Sequence, residues 1–316
     1  MARTLVPRGI LRQTTEDLTI TALVEQVSKP DRAGALRAYI ALTKPRIIEL
    51  LLITTIPPMV LANNGWPGWA LVVTTLVGGT LSAGGANVLN NYVDSDIDLV
   101  MDRTKGRPLP KAQIPAEHAL RFGVLLGAAG FLWLWAFTNL LAASISTVAL
   151  LFYVFVYTKY LKRNSRQNIV IGGAAGAAPV LVGWAAVTGR LDLAAWIMFA
   201  IVFYWTPPHF WALAIRYKDD YARAGVPMLP VVASERHTSL QILWYTAMLV
   251  LVSLSLVFVT SLSWIYLLSA LIFGAWMMRD AVRLYKDPTT AMALFRTSII
   301  YLALVFDAIW VDVVFR

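Results

Sequence analysis

The chain of 316 residues contains no cysteine and little charge: 14% of its residues are Asp, Glu, Lys or Arg, and three are histidine. The lack of cysteine excludes disulfides, thiolate metal ligands and cysteine nucleophiles, and leaves the compartment open. The scarcity of charge, set against a 58% hydrophobic composition and a mean hydropathy of +0.64, excludes an ordinary soluble domain. Acidic residues are fewer than basic ones, giving a net charge of +9. In a membrane protein such an excess reflects loop topology, so no nucleic-acid partner is expected and the lipid bilayer is.

What the sequence has in quantity is long apolar runs. Nine segments reach the length needed to span a hydrocarbon core of about 30 Å, near 46–63, 69–93, 118–137, 140–158, 168–187, 193–215, 239–260, 263–284 and 296–315. This predicts an all-α, polytopic bundle of nine transmembrane helices. Residues 1–37 are polar and of mixed charge, which predicts a partly disordered N-terminal tail ahead of one membrane domain over 38–316. No apolar run in the tail is long enough for a signal peptide. The tail and the loops after the second, fourth, sixth and eighth segments carry 25 of the 27 Lys and Arg residues, and only Arg190 and Arg316 fall on the other side. The positive-inside rule therefore places the N-terminus and every long loop in the cytoplasm.

One stretch on that side is unusually polar: Asn87-Val-Leu-Asn90-Asn91-Tyr92-Val-Asp94-Ser-Asp96-Ile-Asp98, followed by Asp102-Arg103 and Lys105-Gly-Arg107-Pro108. On an α-helix each step of four residues overshoots a turn by about 40°, so Asn90, Asp94 and Asp98 form one drifting stripe, with Asn87 beside it and Asp96 pointing away. A single acid past a helix end is ordinarily just solvated. Several acids following amides embedded in an apolar segment are costly unless paired or functional. A hard divalent cation such as Mg²⁺ suits this oxygen-only ladder, because it bridges one or two carboxylates to substrate phosphates.

A second polar loop follows the sixth segment: Trp205-Thr-Pro207-Pro208-His209-Phe-Trp211, then Lys218-Asp219-Asp220-Tyr221. The two prolines are expected to interrupt the helical hydrogen bonding. Tyr157 and Lys162 end the fourth segment, and Lys44-Pro45-Arg46 begins the first. Both groups read equally as interfacial anchors or as site residues. Gly172-Gly173-Ala-Ala-Gly176 reads as a close helix-packing surface. His118 and His237 flank loops and are expected to be solvated.

Two acidic clusters and several cations on one face of a bundle suggest a diphosphate site. Mg²⁺ would be held by Asn90, Asp94 and Asp98 on one side and by Asp219 and Asp220 on the other. Arg103, Arg107, Lys162 and Lys218 would neutralise charge on phosphate oxygens. Loss of diphosphate would leave an allylic cation, which aromatic walls stabilise and water destroys.

Asn90-x-x-x-Asp94-x-x-x-Asp98 with Asp102-Arg103 and Arg107-Pro108 resembles the first aspartate-rich motif of the UbiA superfamily of intramembrane prenyltransferases. The Trp205–Trp211 run, Lys218–Tyr221 with Gly225-Val-Pro-Met-Leu-Pro230, and Gln167-Asn168-Ile-Val-Ile-Gly-Gly173 resemble its branch that farnesylates protoheme IX. The resemblance covers about residues 38–316. It departs from the general pattern in one place, where adjacent Asp219-Asp220 stand for a second Asp-x-x-x-Asp.

The resemblance implies a nine-helix fold in a bacterial inner membrane, with Mg²⁺ as cofactor and farnesyl diphosphate and protoheme IX as substrates. It implies catalytic roles for Asn90, Asp94, Asp98, Asp219, Asp220 and Lys162. Substrate binding would fall to Asn87, Arg103, Arg107, Tyr157, Lys218, His209, Trp211, Lys44 and Arg46, with His209 the candidate axial ligand of haem iron. As protein partners it implies haem A synthase or terminal oxidase assembly factors. The alternatives are a relative acting on a quinone precursor or chlorin, and a transporter. Against a transporter stand the absence of repeated broken segments and the placement of both acidic clusters on one side.

Overall fold

In lipid every backbone polar group must be satisfied within its own segment, which leaves long apolar runs to form helices. The computed structural model describes residues 32–46 and 53–315, and among these residues there is no strand. The helices are α1 Arg32–Thr43, α2 Ile56–Asn63, α3 Trp69–Val93, α4 Ser95–Val100, α5 Ala116–Phe137, α6 Leu140–Asn164, α7 Asn168–Thr188, α8 Leu193–Arg216, α9 Lys218–Arg223, α10 Leu229–Val232, α11 Glu235–Ser255, α12 Trp264–Lys286 and α13 Ala291–Phe315. Eight of them, α3, α5, α6, α7, α8, α11, α12 and α13, are long and apolar enough to cross a membrane.

The first of the nine expected spans, 46–63, lies partly on residues 47–52, outside the described residues; its described end is α2. Of the expected tail, residues 1–31 also lie outside them, and 32–37 form the first half of α1.

Consecutive spans pack on one another: α3 on α5, α6 on α7, α7 on α8, α11 on α12, and α12 on α13. α8 also lies against α11 and α13, and α2 fits between α7 and α13. The outer faces are apolar and exposed, as at Leu125, Leu132, Trp135, Leu251 and Ile272, which is what a lipid-facing surface requires.

Pro207 and Pro208 do not break α8, which runs unbroken from Leu193 to Arg216. The pair removes the donors to the carbonyls of Phe203 and Tyr204, and a Thr206 Oγ1 bond to the Val202 carbonyl at 2.9 Å sits beside that gap. The small-residue face of α7 is a packing surface: a Cβ on Gly172 would strike the ring of Tyr157, and one on Gly173 would press on Thr206. α1 is tied to the bundle by two amides of α3. Asn91 Nδ2 donates to the Leu42 carbonyl at 2.8 Å and Asn87 Nδ2 to the Thr43 carbonyl at 2.9 Å.

Candidate active site

The helical path of α3 continues through Asp94 into α4, since Asp94 N–H donates to the Asn90 carbonyl and Asp98 N–H to the Asp94 carbonyl. The stripe expected from four-residue spacing is therefore intact. Asn90, Asp94 and Asp98 are buried, whereas the Asp96 side chain is 64% exposed.

Each acid has a cation. Asp94 Oδ2 accepts from Lys162 Nζ at 2.5 Å and from Asn90 Nδ2 at 2.7 Å. Asp98 Oδ2 accepts from Arg107 at 2.7 Å. Asp96 takes both nitrogens of the Arg163 fork at 2.7 Å. Asp94 Oδ1 is buried with no hydrogen-bond partner.

Asn90 is the hub. Its amide nitrogen also donates to Thr158 Oγ1 at 3.0 Å, and its oxygen accepts from Lys44 Nζ at 2.6 Å. Lys44 reaches it from a left-handed backbone, φ +55°, at the end of α1 and directly before Pro45, a conformation few non-glycine residues adopt. Burial of the ammonium group lowers the Lys44 pKa to about 7, with the Arg107 and Lys162 cations adding to the effect and Asp94 and Asp98 opposing it. Positive charge is thus crowded around two buried carboxylates, a field that favours an anionic ligand.

Thr158 and Lys162 are placed by an unusual turn. Residues Phe152–Leu161 of α6 are π-helical, and the Lys162 N–H donates to the Tyr157 carbonyl five residues back. Lys162 therefore lies about one turn beyond Tyr157, on its side of the helix. Tyr157 stacks on Tyr153, with ring centroids 5.4 Å apart.

The loop after α4 meets the second acidic cluster. The Arg103 N–H donates to Asp220 Oδ2 at 3.2 Å, its guanidinium donates to Tyr221 Oη at 3.4 Å, and it lies over the rings of Tyr217 and Tyr221. Arg223 bridges Asp220 and Asp102. Asp220 is buried in these contacts and Asp219 is exposed. Lys218 is half-buried and Arg46 exposed, and neither forms an ion pair among the described residues.

His209 is buried between the rings of Trp205 and Phe295, at 4.2 and 4.5 Å. Ser298 Oγ donates to the Phe295 carbonyl at 2.7 Å, which commits its one proton. The 2.8 Å contact between His209 Nδ1 and Ser298 Oγ suits the tautomer in which Nδ1–H donates to that hydroxyl oxygen. Trp211 is buried against Tyr245 with its indole N–H unpartnered. His118 and His237 are exposed.

Thr158, Arg163, Arg223 and Ser298 are site or supporting residues that spacing alone did not pick out. For Thr158 the signal, an aromatic run with a π-turn, is not periodic at 3.6. The other three meet their partners only through tertiary packing.

Among the described residues no three Asp, Glu, His or Cys side chains converge to hold a metal ion. An ion at Asp94 and Asp98 would need the Asn90 oxygen and substrate oxygens to complete its shell. The orphaned Asp94 Oδ1 and the oxygen-only donor set fit Mg²⁺ on those terms.

Residues 51–304 match the UbiA prenyltransferase family. The chain belongs to that family. It is 50% identical over 301 residues to the protoheme IX farnesyltransferase of Mycobacterium avium, covering 93% of this chain and 97% of that one. Against the enzyme of the same name from Mycolicibacterium smegmatis the identity is 53% over 280 residues, covering 87% and 90%. Among solved structures, the fold is similar to a digeranylgeranylglyceryl phosphate synthase, with a TM-score of 0.74, 20% identity, and coverage of 89% of this chain and 99% of that one. It is also similar to a UbiA homologue of Archaeoglobus fulgidus bound to GPP and Mg²⁺, with a TM-score of 0.59, 13% identity, and coverage of 86% and 99%. This family membership and the apolar helices make the chain a multi-pass membrane protein.

Proposed function

We propose that this protein transfers the farnesyl group of farnesyl diphosphate to a vinyl group of protoheme IX, with Mg²⁺ bound, giving haem O. The observation that carries the site assignment is the buried Asn90–Asp94–Asp98 ladder ringed by Lys44, Arg107 and Lys162; half-identical relatives of that name support the choice of acceptor.

Asn90, Asp94 and Asp98 would hold the metal; Asp220 is tied to Arg103 and Arg223, which leaves Asp219, exposed on α9, as the ligand the second cluster would offer. When bound, Mg²⁺ supplies positive charge to the diphosphate as it departs. Lys44, Lys162, Arg107 and Arg103 bind and orient the phosphate oxygens and stabilise charge growing there as the C1–O bond breaks. Tyr153 and Tyr157 flank the farnesyl C1, excluding water and stabilising allylic positive charge with their faces. The vinyl terminal carbon forms the new C–C bond to C1. The cation left next to the porphyrin ring takes a water oxygen and releases a proton, so haem B, farnesyl diphosphate and water become haem O and diphosphate.

His209 ligates the haem iron through Nε2, with Ser298 fixing the tautomer that leaves this nitrogen basic. The site opens to the cytoplasm of a bacterial inner membrane, a reading supported by the distribution of 25 of 27 Lys and Arg. The test is product analysis: membranes holding the protein, given haem B, farnesyl diphosphate and Mg²⁺, should yield a pigment heavier by one farnesyl group and one hydroxyl. Recovery of haem B alone would contradict the proposal.

A further inference from the structure

Asn168, at the start of α7, is completely buried, and neither its amide nitrogen nor its amide oxygen has a hydrogen-bond partner. A buried amide left this way costs stability, so a native chain that keeps one has a use for it. Gly172 touches the Tyr157 ring, and Asn168 is one turn from Gly172 on the same face of α7, toward the helix start. Lys162 is one turn from Tyr157 toward the same end of α6, since its N–H bonds the Tyr157 carbonyl. The two helices run antiparallel, joined by residues 165–167. Asn168 therefore stands at the depth of Lys162, whose ammonium is 2.5 Å from Asp94. On α3, Asp94 Oδ1 is likewise buried without a hydrogen-bond partner. The N-terminus of α7, where Asn168 stands, is the positive end of that helix's dipole and favours an anion beside it.

We propose that Asn168 is a diphosphate-binding residue, its Nδ2 donating to a phosphate oxygen held between Lys162 and the start of α7. This rests on the prenyl-diphosphate reading of the site. It explains why a fully buried amide is left unpaired: the bond it is built for forms only when substrate enters. A structural asparagine, satisfied by a bound water, would behave differently on substitution.

The experiment measures two quantities on purified protein in detergent with Mg²⁺. One is the affinity for farnesyl thiolodiphosphate, an unreactive analogue, by calorimetry; the other is the melting temperature without ligand. Asn168→Leu keeps the shape and removes the polar atoms. It is expected to weaken analogue binding by about 10- to 100-fold, the usual range for one hydrogen bond to a charged group, and to melt at or above the unsubstituted protein. Unchanged affinity would overturn the proposal, whether or not the melting temperature falls. Should Asn168→Leu fail to fold, Asn168→Asp decides, because a carboxylate of the same shape repels the diphosphate: lost affinity supports the proposal and retained affinity overturns it. If the unsubstituted protein binds no prenyl diphosphate, the functional reading fails instead, and the two failures are distinct.

Discussion

Lys162 Nζ sits 2.5 Å from Asp94 Oδ2 at the end of a π-helical stretch, while the other oxygen of the same buried carboxylate has no hydrogen-bond partner. The pair holds one oxygen of Asp94 and leaves the other without a hydrogen bond, 3.9 Å from Arg163 Nη2. Removing the lysine strands a buried charge, so Lys162→Met should destabilise the protein by about 3–5 kcal/mol. Adding Asp94→Asn to that variant should restore much of the loss without restoring turnover. Thermal unfolding of the two single variants and the double variant checks this; simple additivity of the two effects would show that the ion pair is not coupled.

The stripe and its neighbour should separate functionally. Asp98→Asn should lower turnover at least about 100-fold, the scale of losing one preorganised electrostatic group, because it removes a buried carboxylate held by Arg107. Asp96→Asn, exposed and paired only to Arg163, should lower turnover less than about threefold, the effect expected of a surface ion pair. Equal losses in the two variants would mean that burial and stripe position do not mark the site.

Asp96 also gives a pH dependence. The Arg163 hydrogen bonds hold its carboxyl at about 2, below the ordinary 3.8. A depressed folded pKa stabilises the fold above the unfolded value, and that contribution is lost as pH falls from about 4 to about 2. Because the side chain is mostly exposed, solvent screening limits it to under about 1 kcal/mol. Melting curves of the unsubstituted protein and Asp96→Asn should converge as pH falls through that window.

His209→Ala should alter the absorption spectrum of bound haem and weaken haem affinity, with added imidazole restoring the spectrum, while affinity for farnesyl thiolodiphosphate changes little. Ser298→Ala, which frees the tautomer but keeps the ring, should produce a smaller shift of the same kind. An unaltered haem spectrum in His209→Ala would remove the ligand role and leave the prenyl-transfer site standing.

Sidedness can be read by labelling single cysteines, since the chain has none of its own. Lys105→Cys, Asn164→Cys and Lys286→Cys should react only from the cytoplasm, and Trp66→Cys and Arg190→Cys only from outside. Labelling at 105 from outside would invert the orientation.

Some of this was legible before any coordinates. Four-residue spacing placed Asn90, Asp94 and Asp98 on one buried face and turned Asp96 out, because an α-helix imposes that geometry whatever surrounds it. Eight of the nine spans expected from length and apolarity are long apolar helices among the described residues, and the first, 46–63, lies partly outside them. Periodicity failed where the helix is not α: in the π-helical turn the i→i+5 bond moves Lys162 under Tyr157, which a 3.6-residue period does not. The proline pair interrupts the hydrogen bonding of α8, as proline chemistry requires, and the helix still runs from Leu193 to Arg216. Long-range partners such as Arg163 for Asp96, or Ser298 for His209, are tertiary facts with no local signature.

The most direct test of the account joins the site to the chemistry in one measurement. Farnesyl diphosphate labelled at C1 is given with haem B and Mg²⁺ to matched membranes holding either the unsubstituted protein or Asp94→Asn, and label in the haem fraction is counted. Mg²⁺-dependent labelling of haem is expected with the first, and a loss of at least about 100-fold with the second. Label reaching haem equally well in Asp94→Asn, or reaching none in the unsubstituted protein, would contradict it.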